Sequence, residues 1–184
     1  MTTEPSREQI VRQLRRANEV AHRALALGRH PFGALLVAPD HETVLAEQGN
    51  VDSVNHAESV LARHAAQNFA PGYLWQCTLV TTVEPCCMCA GTQYWANIGR
   101  VVYGMTEERL LALTGRHAEN PTMSLPCREV FARGQKAVQV IGLSRTHSSP
   151  MTSAIIAAIA PRISARRASS TAGAGAPIIA STRR

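Results

Sequence analysis

Aromatic residues are scarce in this 184-residue chain: Phe, Trp and Tyr together make up 4%, so each ring beside a reactive motif carries extra weight. No apolar run is long enough to span a bilayer, and the N-terminus lacks the apolar core of a signal peptide. The expectation is a cytoplasmic protein with no membrane association. There are only five Cys, and three of them (Cys86, Cys87 and Cys89) fall within four positions, which argues for metal chemistry over a disulfide framework. Acidic residues stop at Glu129. Residues 1–144 carry 13 basic and 13 acidic side chains, so the net charge of +6 lies entirely in six Arg between 145 and 184. Residues 1–144 have no basic excess, which argues against a long nucleic acid as partner. There is no internal repeat. At 45% apolar, the remainder is sufficient for one packed domain.

Periodicity outlines that domain. Residues 6–28 read as an amphipathic helix, capped by Ser6 with Glu8 in its first turn. Ile10, Leu14, Ala17, Ala21 and Leu25 recur at helical spacing, and Gly28 ends it. Pro31-Phe32-Gly33-Ala34 leads into an apolar strand, Leu35–Ala38, and a turn at Pro39–Glu42 returns a second strand over Thr43–Glu47. A polar loop runs from Gln48 to a helix over 56–68, with Asn55 as its expected N-cap, and Pro71-Gly72 breaks the chain. Thr78–Val83 is a third strand, Cys86 to about Asn97 a helix, and Val101–Gly104 a fourth strand. Thr106 caps a helix to about Thr114, residues 115–126 form a loop, Arg128–Arg133 a short helix, and Ala137–Ile141 a fifth strand. A hairpin followed by strands alternating with helices predicts an α/β fold with a mostly parallel sheet and helices on both faces. The composition then changes to Ser, Ala, Thr, Arg and Pro. The expected division is a domain over 1–143 and a flexible basic tail over 144–184, with Ile155, Ile156 and Ile159 able to form a docking turn.

Two short motifs organise this frame. His56-Ala57-Glu58 is followed after 26 residues by Pro85-Cys86-Cys87-Met88-Cys89. Zinc takes thiolate and imidazole ligands in a tetrahedron, and a catalytic site leaves the fourth position open to water. Cys86 and Cys89 are three apart and share a face if helical, and a helix N-terminus favours thiolates. His56 supplies a third ligand, and Glu58 reaches the open position to carry protons between water, substrate and leaving amine. Alone, the C-x-x-C suits a structural zinc half-site or a redox pair. The first wants a fourth ligand, and no second C-x-x-C exists. The second leaves His-x-Glu unexplained. Cys87 competes as a ligand but points about 100° from Cys86 on a helix.

H-x-E followed by P-C-x-x-C is recognised as the signature of zinc deaminases acting on nucleobases. At Pro31–Ala34, His56–Glu58, Pro85–Ala90 and Tyr94–Gly104 the chain resembles the cytidine deaminase-like superfamily, and within it the guanine deaminase branch, over roughly residues 6–142. The resemblance implies a three-layer α-β-α sandwich around a five-stranded mixed sheet, and a homodimer. It implies His56, Cys86 and Cys89 as zinc ligands and Glu58 as the proton carrier. It places Asn50, Trp95, Phe32 and Ala57 on the substrate side: Asn50 bonding the base, Trp95 against a purine ring, and Phe32 lining the pocket. Core packing is the alternative for Phe32 and Trp95. Guanine deaminases use a second acid after the fourth strand, where Glu107 and Glu108 stand here.

The expected activity is hydrolytic deamination of a free nucleobase, guanine or a related aminopurine or triazine, with Zn2+ as cofactor. A tRNA adenosine deaminase shares the ligand motif and Cys-Ala-Gly but needs an RNA-binding surface. A cytosine deaminase is a third reading. A zinc-dependent binding module without catalysis has no use for Glu58 beside an open metal position.

Overall fold

Ser6 opens the first helix with a capping box: its hydroxyl accepts the Gln9 N–H at 3.2 Å and its own N–H donates to Gln9 Oε1 at 2.7 Å. The computed structural model describes residues 4–115 and 123–143. Their order is α1 (Arg7–Ala26), β1 (Gly33–Val37), β2 (Val44–Gly49), α2 (Ala57–Asn68), α3 (Pro71–Leu74), β3 (Thr78–Val83), α4 (Cys87–Trp95), β4 (Arg100–Met105), α5 (Glu107–Thr114), α6 (Cys127–Ala132) and β5 (Gln139–Gly142). Gly28, at φ 79°, takes the left-handed conformation that ends α1.

The five strands form one sheet in the order β2-β1-β3-β4-β5. β1 pairs antiparallel with β2 and with β3, whereas β3–β4 and β4–β5 are parallel. Four strands therefore run one way, and β1 alone opposes them. The reason is the connection: β2 is reached by a hairpin, and α2 then carries the chain across β1 to β3. This is the expected α/β fold with a mixed five-stranded sheet.

The strand residues sort by face, as a period of two requires. Leu35, Val37, Val80 and Val102 pack under Leu14, Ala17 and Val20 of α1. Ala34, Leu36, Leu79, Val101 and Tyr103 face the opposite layer, where Ala57, Leu61, Ala62, Ala90, Cys127 and Phe131 come from α2, α4 and α6. α1 lies so close to the sheet that a Cβ on Gly33 would collide with the Ala17 carbonyl and the Ala21 nitrogen. Only glycine fits where β1 begins.

Several boundaries differ from expectation for identifiable reasons. Pro71 starts a one-turn helix, because proline at the first helical position loses no hydrogen bond. α4 stops at Trp95, since Asn97 takes φ 63°. The outer strands are shifted or extended by one or two residues relative to their apolar runs. Asn55 is not the cap of α2: its amide donates to Asp52 Oδ2 at 2.9 Å, and His56 occupies the N-cap with no side-chain capping bond. Residues 116–122 of the expected loop, and the whole 144–184 segment with its Ile155, Ile156 and Ile159, lie outside the described residues. Among those described, no helix is long and apolar enough to cross a membrane.

Candidate active site

β3 and β4 end side by side, and the chain turns from β3 through Glu84 and Pro85 directly into α4. The carboxyl ends of parallel strands are where α/β sheets place their ligands. Here they meet the first turn of α2.

Asp52 shapes the approach. Its Oδ1 accepts the N–H groups of Val54 and Asn55 at 2.8 and 2.7 Å, folding residues 52–55 into a tight turn. That turn brings the Ser53 carbonyl to 3.1 Å from His56 Nε2. With Nε2–H donating there, Nδ1 is left as the lone-pair nitrogen. It faces two sulfurs, Cys86 Sγ and Cys89 Sγ, each at 3.6 Å, and the sulfurs are 3.6 Å from one another. Zinc bond lengths of ~2.3 Å to sulfur and ~2.0–2.1 Å to nitrogen, at tetrahedral angles, give triangle edges of about 3.5–3.8 Å. The donor set therefore fits zinc in both chemistry and spacing. His56, Cys86 and Cys89 are the one such group among the described residues.

Cys86 sits at the N-cap of α4 rather than in its first turn, with extended backbone, and Cys89 lies one turn in. The two thiols are hydrogen-bonded to one another at 3.6 Å, a contact that holds Cys86 down to about 4, while the same bond and burial push Cys89 up. His56 is raised, chiefly by its bond to Cys86. Cys87 does not join the triangle; its Sγ lies 3.3 Å from the Met123 sulfur.

Glu58 stands one step outside. Its Oε2 is 3.6 Å from Cys89 Sγ, yet it is not within common reach of all three donors. Its Oε1 accepts a hydrogen bond from the Thr81 hydroxyl at 2.5 Å. Burial raises the Glu58 carboxyl, and the Thr81 bond opposes that rise. A dry carboxyl beside, but outside, a three-donor triangle is placed to exchange protons rather than to ligate.

The substrate-side expectations divide. Asn50 is 1% exposed; its N–H donates to the Phe32 carbonyl at 2.9 Å and its Nδ2 to the Asp52 carbonyl at 3.0 Å. Its Oδ1 is buried with no hydrogen-bond partner among the described residues, an acceptor left for something else. Ala57 is buried in the core beside the cluster. Phe32 packs on Val83, Met105 and Leu110, the core role among its two readings. Trp95 is not brought to the cluster: it lies six residues beyond Cys89, about 9 Å along a helix, and is 81% exposed. Its ring packs edge-on against Tyr94, with the Lys136 ammonium near both.

Of the two acids after β4, Glu107 is buried and Glu108 is exposed. Burial pushes the Glu107 carboxyl up to about 7, helped by the charges of Cys86, Glu58 and Glu84. Glu84 was not singled out from sequence. It is buried; its Oε2 accepts the Glu107 N–H at 3.2 Å and its Oε1 the Cys127 N–H at 3.0 Å. One carboxylate thus holds the first residues of both α5 and α6. Its position immediately before Pro85-Cys86 was the available signal.

The family described as the cytidine and deoxycytidylate deaminase zinc-binding region matches residues 7–105. A probable cytosine deaminase of Schizosaccharomyces pombe is 30% identical over 138 residues, 73% of this chain and 84% of the relative. A tRNA-specific adenosine deaminase of Haemophilus influenzae is 36% identical over 57% of this chain and 63% of its own. The guanine deaminase of Bacillus subtilis is 39% identical over 40% of this chain and 49% of its own. In structure, the guanine deaminase from Nitrosomonas europaea superposes with a TM-score of 0.59 over 83% of both chains at 20% identity, a likeness of fold.

Proposed function

The chain belongs to the zinc-binding cytidine and deoxycytidylate deaminase family, whose members are hydrolytic enzymes acting on C–N bonds, and we propose that it deaminates a free nucleobase, guanine or a related aminopurine or triazine. The observation that carries this reading is the unpartnered acceptor Asn50 Oδ1, buried on the loop that leads to His56. Because Nδ2 is committed to the Asp52 carbonyl, Oδ1 needs a donor from the substrate. Free guanine offers ring N–H groups. The adenine of a tRNA has no ring N–H, since its N9 is bonded to ribose, and its only donor is the exocyclic amine that leaves. The balance of charge over residues 1–144 supports the same choice.

In this proposal His56, Cys86 and Cys89 hold zinc. When bound, the metal supplies a Lewis acid that brings the pKa of water toward ~7. Glu58 takes a proton from the attacking water, passes it to the ring nitrogen, and carries a second to the departing amine. The sum is amine plus water to carbonyl plus ammonia. Glu107, buried and facing the same charges, is assigned the second acid position in place of Glu108. The exposed Trp95 indole supports the homodimer, because a second copy would cover it.

Ammonia release from guanine, cytosine, adenosine and an anticodon stem-loop tests the proposal. Guanine is expected to be fastest. Cytosine as the fastest substrate would instead support the cytosine deaminase reading, which the coverage of the S. pombe relative favours. Faster turnover of the stem-loop than of any free base overturns the free-base assignment.

A further inference from the structure

Just before its last residue, β3 carries two adjacent threonines, Thr81 and Thr82, whose side chains leave on opposite faces. Thr82 Oγ1 accepts the Gly33 N–H at 3.3 Å, tying β3 to the start of β1. Thr81 has no access to solvent, and its hydroxyl donates to Glu58 Oε1 at 2.5 Å. It is held on both sides by the sheet, opposite Ala34 of β1 and Tyr103 of β4. Its β-branched side chain is also stiff about χ1. The other oxygen of the same carboxyl, Oε2, is the one 3.6 Å from Cys89 Sγ.

We propose that Thr81 is a positioning residue for catalysis: by donating to Oε1 it confines the transferred proton to Oε2, the oxygen turned toward the ligand triangle. The inference rests on Glu58 being the proton carrier. A carboxyl group holds one proton on one oxygen at a time. Oε1 accepts from Thr81 both in the carboxylate and as the carbonyl oxygen of the acid, so the arriving proton bonds to Oε2. It leaves from Oε2 to the substrate, and Thr81 keeps its own proton throughout. The anchor also stops the carboxyl from rotating about its last bond, a broad torsion that would otherwise bring either oxygen forward. Valine has the same outline without the donor, and serine keeps the donor with less bulk.

The test uses the full, zinc-loaded chain as wild type, Thr81→Val, Thr81→Ser, Glu58→Gln and the Thr81→Val/Glu58→Gln double variant. Ammonia release is followed on the fastest of guanine, cytosine and adenosine. Thr81→Val is expected to keep its zinc and lose about 10–100-fold in kcat, part of the ~10²–10⁴-fold a positioned acid–base group supplies. KM should move less than about threefold, as when an interaction made only in the transition state is removed. Thr81→Ser should recover most of the loss, and the double variant should be no slower than Glu58→Gln. An infrared readout needs no turnover: the wild type minus Thr81→Val difference spectrum should show a shifted carboxyl band that vanishes in the Glu58→Gln background. An unchanged kcat in Thr81→Val with Glu58→Gln inactive, or no carboxyl band, overturns the role of Thr81 alone. Near-normal turnover by Glu58→Gln overturns the assignment of Glu58, and with it this one.

Discussion

Two walls meet at the ligand triangle, and they are held in different ways. The wall formed by residues 50–58 is laced by its own polar groups. Asp52 takes three hydrogen bonds from residues 54 and 55, Val51 N–H donates to the Asn55 carbonyl, and Asn50 N–H reaches back to Phe32. The opposite wall, α5 and α6, is tied at its helix starts by the two oxygens of Glu84, with a small cluster of Val83, Met105 and Leu110 beneath α5. The first wall sets the tautomer of His56 and the place of Glu58, so it governs chemistry. The second places Glu107, and Met123 lies against Cys87, so in the proposed reaction this wall bears on the fit of the substrate. A loop that must orient a ligand nitrogen is over-determined locally. A wall built from a later stretch of chain hangs on few long-range contacts.

The largest expected effects lie in the first wall and the cysteine turn. His56→Ala or Cys86→Ala should lose zinc and activity together, whereas Cys87→Ala should keep about one zinc per chain and normal turnover, as measured by metal analysis and ammonia release. An empty site in Cys87→Ala would break the ligand assignment. Next, Glu58→Gln should retain zinc and melting temperature while kcat falls by at least ~10²–10⁴-fold.

Glu84→Ala probes the second wall. It strips two buried N–H groups of a charged acceptor, at a cost on the order of 3 kcal/mol in urea unfolding. In protein that stays folded, it should raise KM more than it lowers kcat. A larger effect on kcat with KM unchanged would place Glu84 in the chemistry and erase the contrast between the walls.

Smaller again is the pH effect of Glu107. Its carboxyl is raised from 4.5 to about 7, so it binds its proton more tightly when folded. Its contribution to stability is full below about 4.5 and is lost as pH rises through about 7. The melting temperature of Glu107→Gln should therefore fall less than that of wild type between pH 5 and 8. The smallest expected change is from a chain ending at Leu143. Leu143 N–H still donates to the Tyr103 carbonyl at 3.2 Å and its side chain still packs against the α1 face. Zinc content and melting should stay near those of the full chain. Failure to fold would place the 144–184 segment on the core and move the proposed domain boundary.

Much of the ligand triangle was legible in the sequence alone. His-x-Glu and Cys-x-x-Cys are local, and their residue types are restricted by what zinc binds. The capping role of Ser6 and Thr106, and the β-branched run of Thr78–Val83, were equally local. Asn55 misled because an Asn before a helix is a good cap by propensity, and the competing bond to Asp52 belongs to the preceding turn. For Trp95 the limit is different: its place in the motif says nothing of whether one chain buries it, and here it is exposed. Glu84 and Thr81 were passed over because a carboxylate or hydroxyl gains its meaning from groups that are distant in sequence. Cys127 is 43 positions from Glu84, and Thr81 is 23 from Glu58.

By itself, then, the sequence determined the donor types, their order and the alternation of strands and helices, because each depends on covalent neighbours and short-range periodicity. Tertiary structure alone decided that Nδ1 rather than Nε2 faces the sulfurs, since that follows from the Ser53 carbonyl brought within 3.1 Å. It decided that Glu107 is buried and Glu108 is not, because the packing of α5 against Val83 and Met105 selects one face of the helix. It also set which oxygen of Glu58 is turned toward Cys89, because β3 lies behind the carboxyl and supplies a hydroxyl to only one side of it.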